Sequence, residues 1–189
     1  MLLFLLRHLK FMRVLVTGVP GTGKSSLAPF IAKKLKAKVI AINEVVKEKG
    51  LYSRKEGDAL VAKMKPLEKE LARVLRKEKN AVVEGHLGCE MRLPVDLVIV
   101  TRTNPKALEK RLRARGYAKK KIAENVLAEA LDYATAMAEG RYMRVFEVDT
   151  TRGRVGKAVE SILRGRGWRF KAGWVRWRKE LEGLARARF

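Results

Sequence analysis

The chain has 189 residues, 47% hydrophobic and 33% charged. That length suits one α/β domain with a proper core and is too short for two ordinary domains with linkers. No stretch approaches the roughly 20 apolar residues of a membrane helix, so no membrane role is expected. One cysteine, Cys89, and two histidines exclude an intrachain disulfide framework, argue against a zinc site and point to a reducing, cytoplasmic setting.

The opening residues Met1 to Leu6 are apolar but lack a leading charged segment, and Arg7, His8 and Lys10 soon interrupt them. They do not read as a signal peptide. Residues 1–11 read instead as an N-terminal extension, with Met12 as an alternative start. The run Arg13-Val14-Leu15-Val16 reads as a buried strand. Directly behind it stands Thr17-Gly18-Val19-Pro20-Gly21-Thr22-Gly23-Lys24-Ser25, a complete phosphate-binding loop.

The chemistry needs those residue types at that spacing. Glycines, here Gly21 and Gly23 among them, let backbone N–H groups converge on phosphate oxygens. Lys24 then supplies the cation for the β and γ phosphates. The Ser25 hydroxyl suits Mg²⁺, and Ser26 opens the helix whose positive N-terminal end faces the same anion. Leu27, Ile31 and Leu35 recur at helical spacing. A nucleoside triphosphate, ATP foremost, is the implied ligand.

Four more apolar runs read as strands of a buried parallel sheet: 37–42, 80–83, 97–101 and 143–148. Helical patterns separate them. Leu67, Leu71 and Leu75 follow Pro66; Leu108 and Leu112 form a second stripe; Ile122, Val126, Ala130, Ala134 and Met137 form a third. This alternation predicts an α/β fold of three layers around a five-stranded parallel sheet, of the P-loop NTPase type. Ligands in such folds sit beyond the carboxyl ends of the strands.

Glu84-Gly85-His86 falls at one of those ends. A carboxylate leaving a buried strand is costly without partners, which favours a role for Glu84 in holding a metal-bound water. His86 reads either as a group orienting water or a phosphoryl oxygen, or as a satisfied core histidine. Arg111 and Arg115 share a helix face before Gly116-Tyr117 and the cluster Lys119-Lys120-Lys121. They read as a clamp on a transferring phosphoryl group or as a basic helix end balancing its dipole.

With these motifs in view, residues 12 to about 163 resemble the adenylate kinase-like NTPases of small-ribosomal-subunit assembly, the family of the coilin-interacting nuclear ATPase, and especially its archaeal branch. The resemblance rests on the phosphate loop, on Val82-Val83-Glu84-Gly85-His86, and on Arg111-Leu112-Arg113-Ala114-Arg115-Gly116-Tyr117 continuing to Asn125. It implies a nucleoside-monophosphate-kinase-like domain over 12–165, with a monophosphate insert at about 41–64 and a short mobile lid at about 114–124. Arg115 would lie on or near the nucleotide, and Arg152 would stand on the adenine-side loop Asp149-Thr150-Thr151-Arg152. Asn43, Glu44 and Lys47 become candidate ligands for AMP or a similar monophosphate. The family shows Asp-x-His in its animal members where this chain has Glu84 and His86. The implied activity is adenylate kinase with ATP hydrolysis. The implied partners are rRNA or a pre-ribosomal particle and a ribosomal protein of the small-subunit platform.

A formal net charge of +23 exceeds what a nucleotide site requires. It reads as the mark of an acidic partner, RNA first, or as a solvated basic surface. Residues 166–189 form a basic, aromatic extension. Trp168-Arg169-Phe170-Lys171 and Trp174 to Lys179 interleave rings with cations, as single-stranded nucleic-acid surfaces do. Trp174, Trp177, Leu181 and Leu184 also fall on one helical stripe, which predicts a terminal helix docked by its aromatic face.

Overall fold

The strand β1, Arg13–Thr17, occupies the centre of the molecule, and residues 14–17 are fully buried. The computed structural model describes residues 11–56, 59–153 and 155–186, so most of the N-terminal extension lies outside the described residues. Four strands join β1 in a wholly parallel sheet: β2 (Lys38–Ala41), β5 (Ala81–Glu84), β6 (Leu97–Arg102) and β7 (Val145–Asp149). Their order is β2-β5-β1-β6-β7. Register places Lys38 and Arg13 opposite Ala81, and Val98 opposite Val145, so the strand starts share one edge.

Side chains alternate across the sheet, as the two-residue period of a strand demands. Leu15, Val83 and Val98 face one core layer, while Val14, Val82 and Ile99 face the other. The first layer is closed by α2 (Ile42–Glu48), α3 (Met64–Lys77) and α6 (Tyr133–Glu139). In α3 the residues Leu67, Leu71 and Leu75 are wholly buried, which is the apolar stripe expected from their spacing. The second layer is closed by α1 (Lys24–Leu35) and α7 (Gly156–Leu163). Each fully buried leucine of this kind contributes roughly 1.5–3 kcal/mol.

A smaller apolar cluster joins α4 (Pro105–Ala114) to α5 (Lys119–Ala130) through Leu108, Leu112, Ile122 and Val126. Asn104 caps α4 by accepting from the Lys106 N–H, and Pro105 at the first position fixes its entry. Within residues 41–64, α2 is followed by the antiparallel hairpin β3 (Tyr52–Glu56) and β4 (Ala59–Ala62). Among the described residues no helix is long and apolar enough to cross a membrane.

The aromatic tail departs from its expected shape. The last helix, α8, spans Arg178–Arg186, so Trp174 and Trp177 precede it rather than share its stripe. The reason is a competing carboxylate. Glu147 Oε2 accepts from the backbone N–H groups of Gly173 and Val175, both at 3.0 Å, and holds that segment out of a helix. Both tryptophans nevertheless dock. Trp174 Nε1 donates to the Glu147 carbonyl at 2.9 Å, and Trp177 Nε1 donates to Glu129 Oε1 at 3.0 Å.

Those carboxylates belong to a buried charge network. The Arg102 side chain is 1% exposed and its guanidinium contacts Glu129 at 2.8 Å, together with Glu147 and Asp132. Burial opposes the charge, but Glu129 and Glu147 outweigh it and hold the Arg102 pKa above its ordinary value.

Candidate active site

The loop between β1 and α1 is shaped by contacts only glycine permits. Gly18 has φ +136°, and a Cβ there would lie 2.5 Å from the Thr101 carbonyl. Threonines tie the loop to the sheet ends. The Thr22 and Thr101 hydroxyls are 2.7 Å apart, Thr101 donates to the Thr17 carbonyl at 3.0 Å, and Thr17 donates to the Gly85 carbonyl at 3.0 Å. Thr150 Oγ1 donates to the Thr22 carbonyl at 2.7 Å and brings the loop after β7 against the same turn.

Lys24 folds across the loop it closes. Its Nζ donates to the Gly18 and Val19 carbonyls, both at 2.9 Å. Burial lowers its pKa to about 8, partly offset by the negative charge of Glu84. Ser25 Oγ lies 3.5 Å from Glu84 Oε2. One hydroxyl and one carboxylate side by side at a phosphate loop form a donor set suited to a hard, oxygen-seeking cation such as Mg²⁺. Beyond Glu84, His86 is half-buried. Burial, with the positive charges of Lys24 and Lys121, pushes its pKa down to about 4. Its imidazole is therefore neutral at physiological pH, able to donate or accept a hydrogen bond but carrying no charge.

These residues line one cleft of about 1180 Å³. Gly21, Lys24, Ser25, Glu84 and His86 form its floor, Asn43 and Lys47 of α2 face in from one side, and Arg115 from the other. Arg115 ends α4 beside Gly116, whose φ of +72° turns the chain into α5. Its guanidinium has no hydrogen bond or ion pair among the described residues.

Other candidates are placed elsewhere. Gly23 acts through its backbone: its φ of +91° starts α1, and its carbonyl accepts from the Leu27 N–H. Ser26, Glu44 and Arg152 are exposed and do not line the cleft. Arg111 is turned away from it. Its guanidinium donates to Thr103 Oγ1 at 3.1 Å and to the Thr150 and Thr151 carbonyls at 2.8 and 3.1 Å. It is a brace for the loop after β7, where two successive backbone carbonyls accept from one edge of its planar guanidinium.

Several cleft residues escape a sequence reading. Glu90 accepts from the Tyr133 hydroxyl at 3.3 Å, and both residues line the same cleft, as do Leu60 and Ala62. No motif marks them. Arg102, Glu129 and Glu147 did carry a signal, since a charge inside an apolar run implies a buried partner.

A parallel five-stranded sheet with a phosphate loop behind its central strand, flanked by a helix-and-hairpin insert and a short α4–α5 turn, defines a P-loop NTPase with nucleoside-monophosphate-kinase-like architecture. Comparison with known proteins agrees. Residues 14–132 match the AAA domain family. A protein of Methanocaldococcus jannaschii named "Putative adenylate kinase" is 38% identical over 154 residues, covering 80% of this chain and 84% of its own length. One of the same name from Pyrococcus furiosus is 40% identical over 178 residues, covering 92% and 95%. The chain belongs to the AAA domain family and to the family of these archaeal relatives. Among solved structures, a shikimate kinase from Acinetobacter baumannii in complex with shikimate aligns over 84% of this chain and 94% of its own, with a TM-score of 0.58 and 13% identity. At that identity the likeness concerns the fold alone.

Proposed function

We propose that the protein is a nucleotide kinase that transfers the γ-phosphoryl group of ATP to AMP. The observation that carries this reading is the shared cleft: a phosphate loop with Lys24 and Ser25 opposes Asn43 and Lys47 on α2, with Glu84, His86 and Arg115 between. Two anionic groups brought together there have cations on both sides. The names of the archaeal relatives support the same reading.

In the transfer, an oxygen of the AMP phosphate forms a bond to the γ phosphorus while the bond from that phosphorus to the β–γ bridging oxygen breaks, giving two ADP. Such a reaction needs positioning and charge stabilisation rather than a covalent intermediate. Lys24 leaves its two loop carbonyls for the phosphates, and Gly21 and Gly23 offer backbone N–H groups. Arg115 reaches in from the α4–α5 turn, which serves as the lid, and neutralises equatorial charge. Ser25 and Glu84 would hold Mg²⁺, directly and through water, and the ion supplies further neutralisation of the triphosphate.

The test is ADP formation from Mg²⁺·ATP with and without AMP. Rapid, AMP-dependent ADP formation is expected, falling at least about a hundredfold in a folded Lys24→Ala protein. Wild-type turnover in that variant overturns the assignment. Because the α4–α5 turn is short and exposed, water competes with AMP as acceptor. Slow phosphate release that ignores AMP and rises with added RNA or ribosomal protein would make the protein an assembly-linked ATPase instead.

A further inference from the structure

In a wholly parallel sheet every strand starts at the same edge, so the turns that precede the strands gather at one pole and the phosphate loop lies at the other. That pole collects cations. Lys36 and Lys38 stand at the α1–β2 turn, Lys77 and Lys79 at the α3–β5 turn, Arg144 just before β7, and Arg164 and Arg166 after α7; all are exposed. Among the described residues the ion pairs there are Lys34–Glu160 and Arg13–Asp96, and Lys36, Lys38, Lys77, Arg144, Arg164 and Arg166 form none. A surface that merely keeps a protein soluble balances both signs, whereas here the cations outnumber the acids Glu78, Asp96 and Glu160 over a width of about 19 Å from β2 to β7.

The same pole exposes aromatic rings with cations on their faces. Trp168 is 68% exposed and carries the Arg169 guanidinium 5.0 Å from its ring; Phe11 is 56% exposed and carries Lys79 Nζ at 5.1 Å. Trp168 follows α7 in a short 3-10 turn fixed by the Phe170 N–H to Gly167 carbonyl bond at 2.8 Å. An acidic protein would be served by the cations alone. Exposed rings with cations on their faces suit a strand that offers phosphates and unstacked bases together. Folded RNA presents such bases in loops, while duplex DNA does not.

We infer that the pole opposite the phosphate loop is a binding surface for single-stranded RNA, centred on Trp168, Arg164, Arg166 and Arg169. It is independent of the kinase reading, since it uses none of the cleft residues. RNA and nucleotide therefore bind at the same time.

The test is fluorescence anisotropy with a short, unstructured, fluorescein-labelled RNA, titrated from about 50 to 200 mM salt. The triple charge reversal R164E/R166E/R169E should weaken binding more than tenfold and flatten the log–log salt slope by about 2, at about 0.7 for each phosphate that is no longer neutralised. Trp168→Ala should weaken single-stranded RNA by about tenfold and leave duplex RNA unchanged. Both variants should keep the wild-type melting midpoint and ADP formation. Undiminished binding by the charge-reversed protein, or displacement of RNA by saturating Mg²⁺·ATP, overturns the assignment. So does duplex RNA binding that falls as far in Trp168→Ala. Polyglutamate that binds while RNA does not would give the pole to an acidic protein and reject RNA.

Discussion

Nucleotide binding should be accompanied by proton uptake, because Lys24 is held at a pKa of about 8 by burial. At pH 8 about half of the molecules carry a neutral amine, and at pH 7 about one in ten. A bound triphosphate sets anionic oxygens beside Nζ and restores full protonation. Binding should therefore take up about 0.5 proton at pH 8 and about 0.1 at pH 7. Isothermal titration calorimetry in two buffers of unlike ionisation enthalpy reads this number as the slope of the observed enthalpy. His86, with a pKa of about 4, adds nothing in that range. Glu84→Gln removes the negative charge that supports the ammonium, so uptake at pH 8 should increase in that variant. Equal binding enthalpies in both buffers at pH 8 would refute the coupling of Lys24 to the phosphates.

Arg102→Met leaves the carboxylates of Glu129 and Glu147 buried without their cation, and urea denaturation should report a loss of about 3–5 kcal/mol; a loss below about 1 kcal/mol would mean the network does little for the fold. Gly18→Ala combines a left-handed φ with a Cβ 2.5 Å from the Thr101 carbonyl, and should weaken ATP binding more than about tenfold while the protein remains folded. Acidification should destabilise through His86. Its folded pKa of about 4 lies below the ordinary 6.5, so its stabilisation is complete above pH 6.5 and is lost as pH falls toward 4. By pH 5 the loss is about 1 to 2 kcal/mol, seen as a drop in urea midpoint larger in wild type than in His86→Gln.

The sheet was legible because its inner strands β5, β1 and β6 are buried on both faces and read as short apolar runs, while helices of regular stripe separate most of the strands. The phosphate loop was legible because its glycines, lysine and serine have no other economical explanation. Arg111 was not, since a guanidinium four residues from Arg115 has the same sequence signature whether it meets a phosphate or the carbonyls of Thr150 and Thr151. Periodicity also misplaced Trp174 and Trp177. A stripe records side-chain spacing and is blind to Glu147, whose carboxylate arrives from a strand about thirty residues earlier and captures the backbone N–H groups a helix would need. Glu90 and Tyr133 meet only through folding, so no local pattern announces them.

The sheet ends in two bare strands, and the molecule guards them differently. β2 is short and begins with exposed Lys38, a charge that discourages another strand from pairing. β7 is guarded by the chain itself: Lys171 bridges Phe146, the Ala172 N–H donates to the Val145 carbonyl at 3.1 Å, and Trp174 takes the Glu147 carbonyl. A protease that severed the tail before Lys171 would thus leave more than a shorter protein. It would open a row of backbone donors and acceptors along β7, and the clipped molecules would join edge to edge.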